Sequence, residues 1–149
     1  MFIGESMKRK LILLLALPLI LCGCSSKTMT CSGTSEGDKR VTTQEYVLEY
    51  KKDTVTNVSQ ITTHKFDDKE TLDIYVKAFD SYVTSLLDVA SQASGYMLVE
   101  TKITKDNSYI IKIDAEIEKL TNHHLNKMNM VRDINELKEI LETSGLTCK

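Results

Sequence analysis

DDKETLDIYVKAFDSYVTSLLDVA, residues 67–90, is the longest stretch of the chain that keeps a single period. Leu72, Tyr75, Val76, Phe79, Tyr82, Val83, Leu86, Leu87 and Ala90 recur at spacings of three and four, which places them on one side of a helix. Asp67 with Glu70 three residues on makes a capping-box-like start, and Gly95 just past Ser94 supplies a stop. A stripe this wide needs a sheet face to cover. At helical spacing, Tyr75, Phe79 and Tyr82 read as core packing in preference to a ligand box.

Working outward, the flanking segments alternate with period two. Val41 to Tyr50 sets Tyr46, Leu48 and Tyr50 on one face and Glu45 and Glu49 on the other. Lys51-Lys52-Asp53 interrupts, and Thr54 to Phe66, dense in Val, Thr and Ile, returns as the second strand of a hairpin. Its polar Asn57, Ser59 and Gln60 predict solvent on one side. Beyond the helix, Tyr96–Lys105 and Ser108–Glu118 form a second hairpin around Asp106-Asn107, a pair that tolerates positive φ. Tyr109, Ile111, Ile113, Ala115 and Ile117 take one face, while Lys112, Asp114, Glu116 and Glu118 take the other. Leu120 to Met130 shows no firm period and is expected to be irregular. A last helix starts at Asp133 with Glu136 three on, buries Ile134, Leu137, Ile140 and Leu141, and stops at Gly145. The expectation is a single α+β domain over residues 40–149. Its antiparallel four-stranded sheet runs in ββαββα order, with one long helix packed on one face and a short C-terminal helix.

The N-terminus has a different character. Lys8-Arg9-Lys10, an apolar run from Leu11 to Leu21, and the small residues around Gly23-Cys24 are the three zones of a secretory signal. The run is about half the roughly 20 residues a membrane-spanning helix needs. Cleavage before Cys24 fits better than cleavage before Cys22, because Gly23 supplies the small residue required ahead of a lipidated cysteine. Residues 1–23 are therefore expected to be a cleaved lipoprotein signal peptide. Cys24 is the expected lipidation site, and residues 24–39, rich in Ser, Thr and Gly, are expected to be a flexible tether.

Cleavage would remove Cys22, and lipidation would consume the thiol of Cys24, leaving Cys31 and Cys148 in an exported setting. Within a monomer they can pair only with each other; the alternative is two free thiols, or one engaged with a partner. A bridge would tie both ends of the domain together and close a loop worth about 4.7 kcal/mol in the chain-entropy model.

Charge excludes further classes. Losing Lys8, Arg9, Lys10 and Glu5 takes the chain from 19 basic and 21 acidic residues to 16 and 20, a net charge of −4. A mildly acidic chain without a basic cluster is poorly suited to nucleic acid. Membrane attachment is expected from acyl chains such as palmitate on Cys24, each buried CH₂ contributing about 0.8 kcal/mol. Asn122-His123-His124 could hold a transition metal only if His64 or a carboxylate came within reach, and no Cys-x-x-Cys or His-x-x-x-His pattern accompanies it. Asp114, Glu116 and Glu118 share a strand face, where alternation accounts for them as a solvated row. No Gly-x-Ser-x-Gly elbow or Gly-rich phosphate loop occurs. No catalytic residue, metal or cofactor is expected, and the chain is not read as an enzyme.

Gly23-Cys24, then Tyr46 to Tyr50 running into Lys51-Lys52-Asp53-Thr54-Val55, then Ile61-Thr62-Thr63 before a long helix, and the closing Leu141–Lys149 together resemble the YehR-type family of small bacterial lipoproteins. The resemblance implies an α+β domain held at the envelope by lipid, at the extracytoplasmic face of the cell membrane or outer membrane, and it transfers no catalytic residues. The functional expectation is a non-catalytic interaction module that meets an envelope protein or peptide close to the bilayer. A small-ligand or solute-binding lipoprotein is the alternative. It would need a hollow between helix and sheet.

Overall fold

The structure, a computed structural model, describes residues 25–149 of the 149-residue chain. The signal segment, Cys22 and the expected lipidation site Cys24 lie outside the described residues. Among the described residues no helix is long and apolar enough to cross a membrane.

The elements run β1 (Lys27–Gly37), β2 (Arg40–Lys51), β3 (Thr54–Phe66), α1 (Lys69–Gln92), β4 (Met97–Ile103), β5 (Ser108–Glu116), a 3₁₀ turn (Ile117–Lys119), α2 (Asn122–Met128), α3 (Ile134–Thr143) and β6 (Thr147–Cys148). The strands make one antiparallel sheet in the order β4-β5-β3-β2-β1-β6. The α+β class stands, but among the described residues six strands and three helices replace the expected four-stranded ββαββα arrangement.

Three local misreadings account for the difference. Residues 27–37, expected within the tether, pair with β2 over their whole length, from Lys27 opposite Tyr50 to Gly37 opposite Arg40. Ser and Thr made this stretch look like a linker, yet Thr is β-branched and suits a pleated, half-wetted surface. Leu120–Met130, expected to be irregular, contains α2, which is too short for a helical period to register. It is started by a capping box in which Thr121 and His124 satisfy each other's backbone N–H groups. The last two-residue strand had no periodicity at all, and it exists because Cys148 lies opposite Cys31.

The long helix forms as its period dictates, with its start one residue later than Asp67. Asp68 is the N-cap: its carboxylate accepts from the Thr71 N–H at 2.8 Å and from the Thr71 hydroxyl at 2.9 Å. At α3 the cap is Asp133, as expected, accepting from the N–H groups of Asn135 and Glu136. Gly145, at φ +93°, turns the chain out of α3 toward β6.

The helices of the described residues pack on one face of the sheet. Leu72, Val83, Leu86 and Val89 of α1 are buried there against Met97, Val99, Ile111, Ile113 and Ala115, with Leu137 and Leu141 of α3 completing the core. The segment before α3 is stitched to the β2–β3 turn, since Val55 N–H donates to Arg132 O at 2.8 Å and Ile134 N–H to Asp53 O at 2.9 Å.

The C-terminal segment folds back over β1. Glycine at position 33 lets the backbones come close, because a Cβ there would crowd the Gly145 carbonyl oxygen at 3.0 Å and the Leu146 Cα at 3.3 Å. Lys149 and Thr30 exchange backbone hydrogen bonds at 2.9 and 3.0 Å. The sulfurs of Cys31, which is fully buried, and Cys148 lie at disulfide distance across 117 residues. Reduction under native conditions, or replacement of both cysteines, is expected to lower the unfolding free energy by about 2–5 kcal/mol. Urea titration checks this, and an unchanged midpoint in reductant would show that the bridge contributes nothing.

Candidate functional site

The two faces of the sheet follow from strand parity. On the side away from the helices, Thr43 and Val47 of β2 stand beside Thr63, Ile61 and Ser59 of β3, with Thr30 and Thr34 of β1 and Ile110 of β5 at their flanks. No element covers this face among the described residues, so Val47 and Ile61 are 41% and 37% exposed. Such residues can cross-brace one another while wet: the Thr34 and Thr43 hydroxyls approach to 3.5 Å. Charge rims the patch. Glu36, Glu45, Glu49, Glu100, Asp114 and Glu116 project from the open face, against Lys51, Lys65, Lys102 and Lys112.

Of the row expected to be solvated, only Asp114 and Glu116 lie on this face, because the strand ends before Glu118. Asp114 is committed to neighbours: it accepts from Ser59 Oγ at 2.6 Å and pairs with Lys112 Nζ at 2.8 Å. Partial burial opposes its ionisation, but the hydrogen bonds from Lys112 and Ser59 outweigh that and hold the carboxyl below its ordinary value. Glu116 ends β5, and Glu118 lies in the 3₁₀ turn beyond.

β4 ends the sheet, and among the described residues its outer edge has no neighbouring strand. Leu98 and Ile103 on it are more than half exposed. At this corner Glu100, Thr101, Lys102, Ile110 and Lys112 line a half-open depression of about 310 Å³. A free edge with apolar side chains is the kind of template to which an extended peptide adds.

The helix side carries a polar seam that sequence reasoning missed. His64 points to this face of β3 and is only 7% exposed. Its Nδ1 lies 3.0 Å from the Thr42 hydroxyl and its Nε2 3.1 Å from the Tyr75 hydroxyl, so both ring nitrogens are occupied. The Tyr75 ring stacks on Phe79 and packs against Phe66 and His64, and the Arg40 guanidinium sits 5.1 Å from its centroid. The aromatic stripe is therefore packing, as expected from its spacing, although Tyr82 at its end is 44% exposed. Beside it runs a cleft of about 200 Å³, lined among others by Gln44, Tyr46, Gln60, Tyr82, Leu141 and Ser144. Burial, then the neighbouring Tyr82, pushes the Tyr46 phenol up to about 12. The only signal in the sequence was His64 itself, a polar residue at an inward position of an alternating strand.

His64 is not joined by His123 and His124. Those two open α2, where His124 caps the helix, and among the described residues no group of three metal-ligating side chains is assembled. Cys31 and Cys148 are brought together at the sheet edge.

Burial, reinforced by Arg40, lowers the His64 imidazole to about 4, from an ordinary value near 6.5. Tyr75 and the paired Tyr109 are the other titratable groups at this position. Between those two pH values the unfolded chain holds the extra proton, so this group's contribution to stability falls as pH drops from about 6.5 to 4. The limit of the loss is about 3 kcal/mol. Denaturant titrations across that range should show the slope in the wild type and not in His64→Gln. Equal slopes would remove His64 as the cause.

No protein-family model matches the chain, and no match was found among curated proteins. Among solved structures it is similar to the NMR structure of the Escherichia coli YehR protein, at 14% identity and a TM-score of 0.53, covering 85% of this chain and 93% of that one. An NMR structure of a protein from Streptococcus pneumoniae TIGR4 also aligns, at 16% identity and a TM-score of 0.48, covering 90% of this chain and 92% of that one. At such identity the likeness is one of architecture, and the chain has a YehR-like fold.

Proposed function

We propose that the chain is a lipid-anchored envelope lipoprotein of the YehR type, and that its domain is a non-catalytic module binding an envelope protein or peptide near the membrane surface. The observation that carries the reading is the uncovered face of the sheet. Val47 and Ile61 at its centre, threonines around them and carboxylates at the rim form an apolar middle inside a polar border, the anatomy of a protein contact. The free β4 edge extends that surface. The signal-like N-terminus and Gly23-Cys24 support the anchor, and the two cysteines at disulfide distance suit an oxidising compartment.

A solute-binding reading would need an enclosed hollow. The helix-side cleft offers about 200 Å³, below the roughly 300–1,000 Å³ of ordinary ligand pockets, and the depression at the β4–β5 corner is half open.

Two measurements test the proposal. Cys24→Ser is expected to release or misprocess the protein while the domain still folds, because Cys24 precedes every strand and helix of the described residues; a variant that fractionates with membranes like wild type counts against lipidation. For the surface, a photoactivatable residue at Ile61 on intact cells should yield a discrete adduct that the same residue at Leu87, exposed on α1, does not. Adducts alike from both positions, or none from Ile61, would count against the open face.

A further inference from the structure

On the reading that Cys24 carries lipid, the fold also determines which end of the domain meets the bilayer. Ser25 and Ser26 are exposed coil, and β1 begins at Lys27. Three residue steps separate Cys24 from the first residue of the sheet, a reach of roughly 10 Å when fully extended. The polar layer of a bilayer is itself about 5–7 Å deep on each side. Lys27 is thus held at the head-group surface, a much tighter constraint than the roughly 25 Å that a seven-residue tether to Cys31 would allow.

Lys27 is opposite Tyr50, the residue before Lys51. The β2–β3 turn, with Lys51 and Lys52, consequently stands at the same end. β3 starts at Thr54, whereas its pairing with β5 begins only at Asn57, so this hairpin projects three residues past the end of β5. Of the acids near the tip, Asp133 is exposed with its carboxylate engaged as the α3 cap, Glu118 is next to Lys119 in the 3₁₀ turn, and Glu49 and Glu116 lie a row back on the open face. Asp53 is the one carboxylate within the turn.

We infer that the β2–β3 turn end of the sheet is seated on anionic phospholipid head groups through Lys27, Lys51 and Lys52, with the long axis of the sheet rising from the membrane. Charge decides between standing and lying. Laid on its open face, the domain would bring six carboxylates and four lysines to an anionic surface; laid on α1, it would bring Glu70, Asp73, Asp80 and Asp88 against Lys69 and Lys77. Of these three surfaces the turn end alone offers an excess of lysine, and such attraction acts within about 10 Å of the surface. The thirteen residues of β3 would carry the opposite end, with Lys105, about 40 Å outward. The open face would then be clear for a partner.

The chain contains no tryptophan, so one introduced indole reports its own position. Full-length lipidated protein carrying Lys51→Trp or Lys105→Trp would be reconstituted in vesicles of phosphatidylethanolamine and phosphatidylglycerol containing a head-group nitroxide lipid. The expected result is a quenching slope for Lys51→Trp several times that of Lys105→Trp, with both variants sedimenting with the vesicles. Equal or reversed slopes in sedimenting protein would overturn the orientation and leave the anchor standing. Protein that does not sediment would overturn the anchor, and the orientation with it. Lys27→Trp is the second reporter should Lys51→Trp lose its cooperative melt.

Discussion

One constraint shapes this molecule: a six-stranded sheet is covered by helices on a single face. Each strand must therefore send its apolar side chains to that face, and a one-residue slip in any of them would move the whole set into water. Leu48 opposite Val58, and Val99 opposite Ile113, obey this from four neighbouring strands. α1 meets them with Leu86, among the largest fully buried side chains. The same parity leaves the opposite face to Thr, Ser and charge, with a few branched apolar residues between them. What looks like a binding surface is in this sense the remainder of a one-sided core.

The second consequence is at the sheet's other edge. α1 lies over β3, β4 and β5, so β1 and β2 depend on α3 and the closing turn for cover. Gly33 admits the Gly145 and Leu146 backbone against β1, and Cys31 and Cys148 meet just beyond. Closing the chain ends on one another places the first strand immediately after the expected anchor. Most of the stretch expected to be a tether is strand β1, so the expected lipidation site Cys24 comes only three residues before the sheet.

Where the cover thins, polar groups enter the helix side. Thr42, Gln44 and Gln60 are only partly buried there, and His64, Thr62 and Tyr75 bond to them or to each other. A buried imidazole is tolerated because both its nitrogens are satisfied and it stays neutral. This seam is built from β2, β3 and α1, and no single segment displays it.

The sequence by itself determined the elements whose side chains repeat with a clear period: α1, the β2–β3 and β4–β5 hairpins, and α3 with its Asp133 cap and Gly145 stop. Periodicity reports local geometry, and these segments are long enough for it to accumulate. It also offered Cys31 and Cys148 as a pair by elimination. Tertiary structure alone decided that Lys27–Gly37 is a strand, that two residues at the C-terminus complete the sheet, that α2 forms, and that His64 sits between Thr42 and Tyr75 and apart from His123 and His124. The physical reason is common to them. A Thr-rich strand, a two-residue strand and a buried hydrogen-bond pair gain their stability from partners distant in the chain, and local sequence carries no record of those partners.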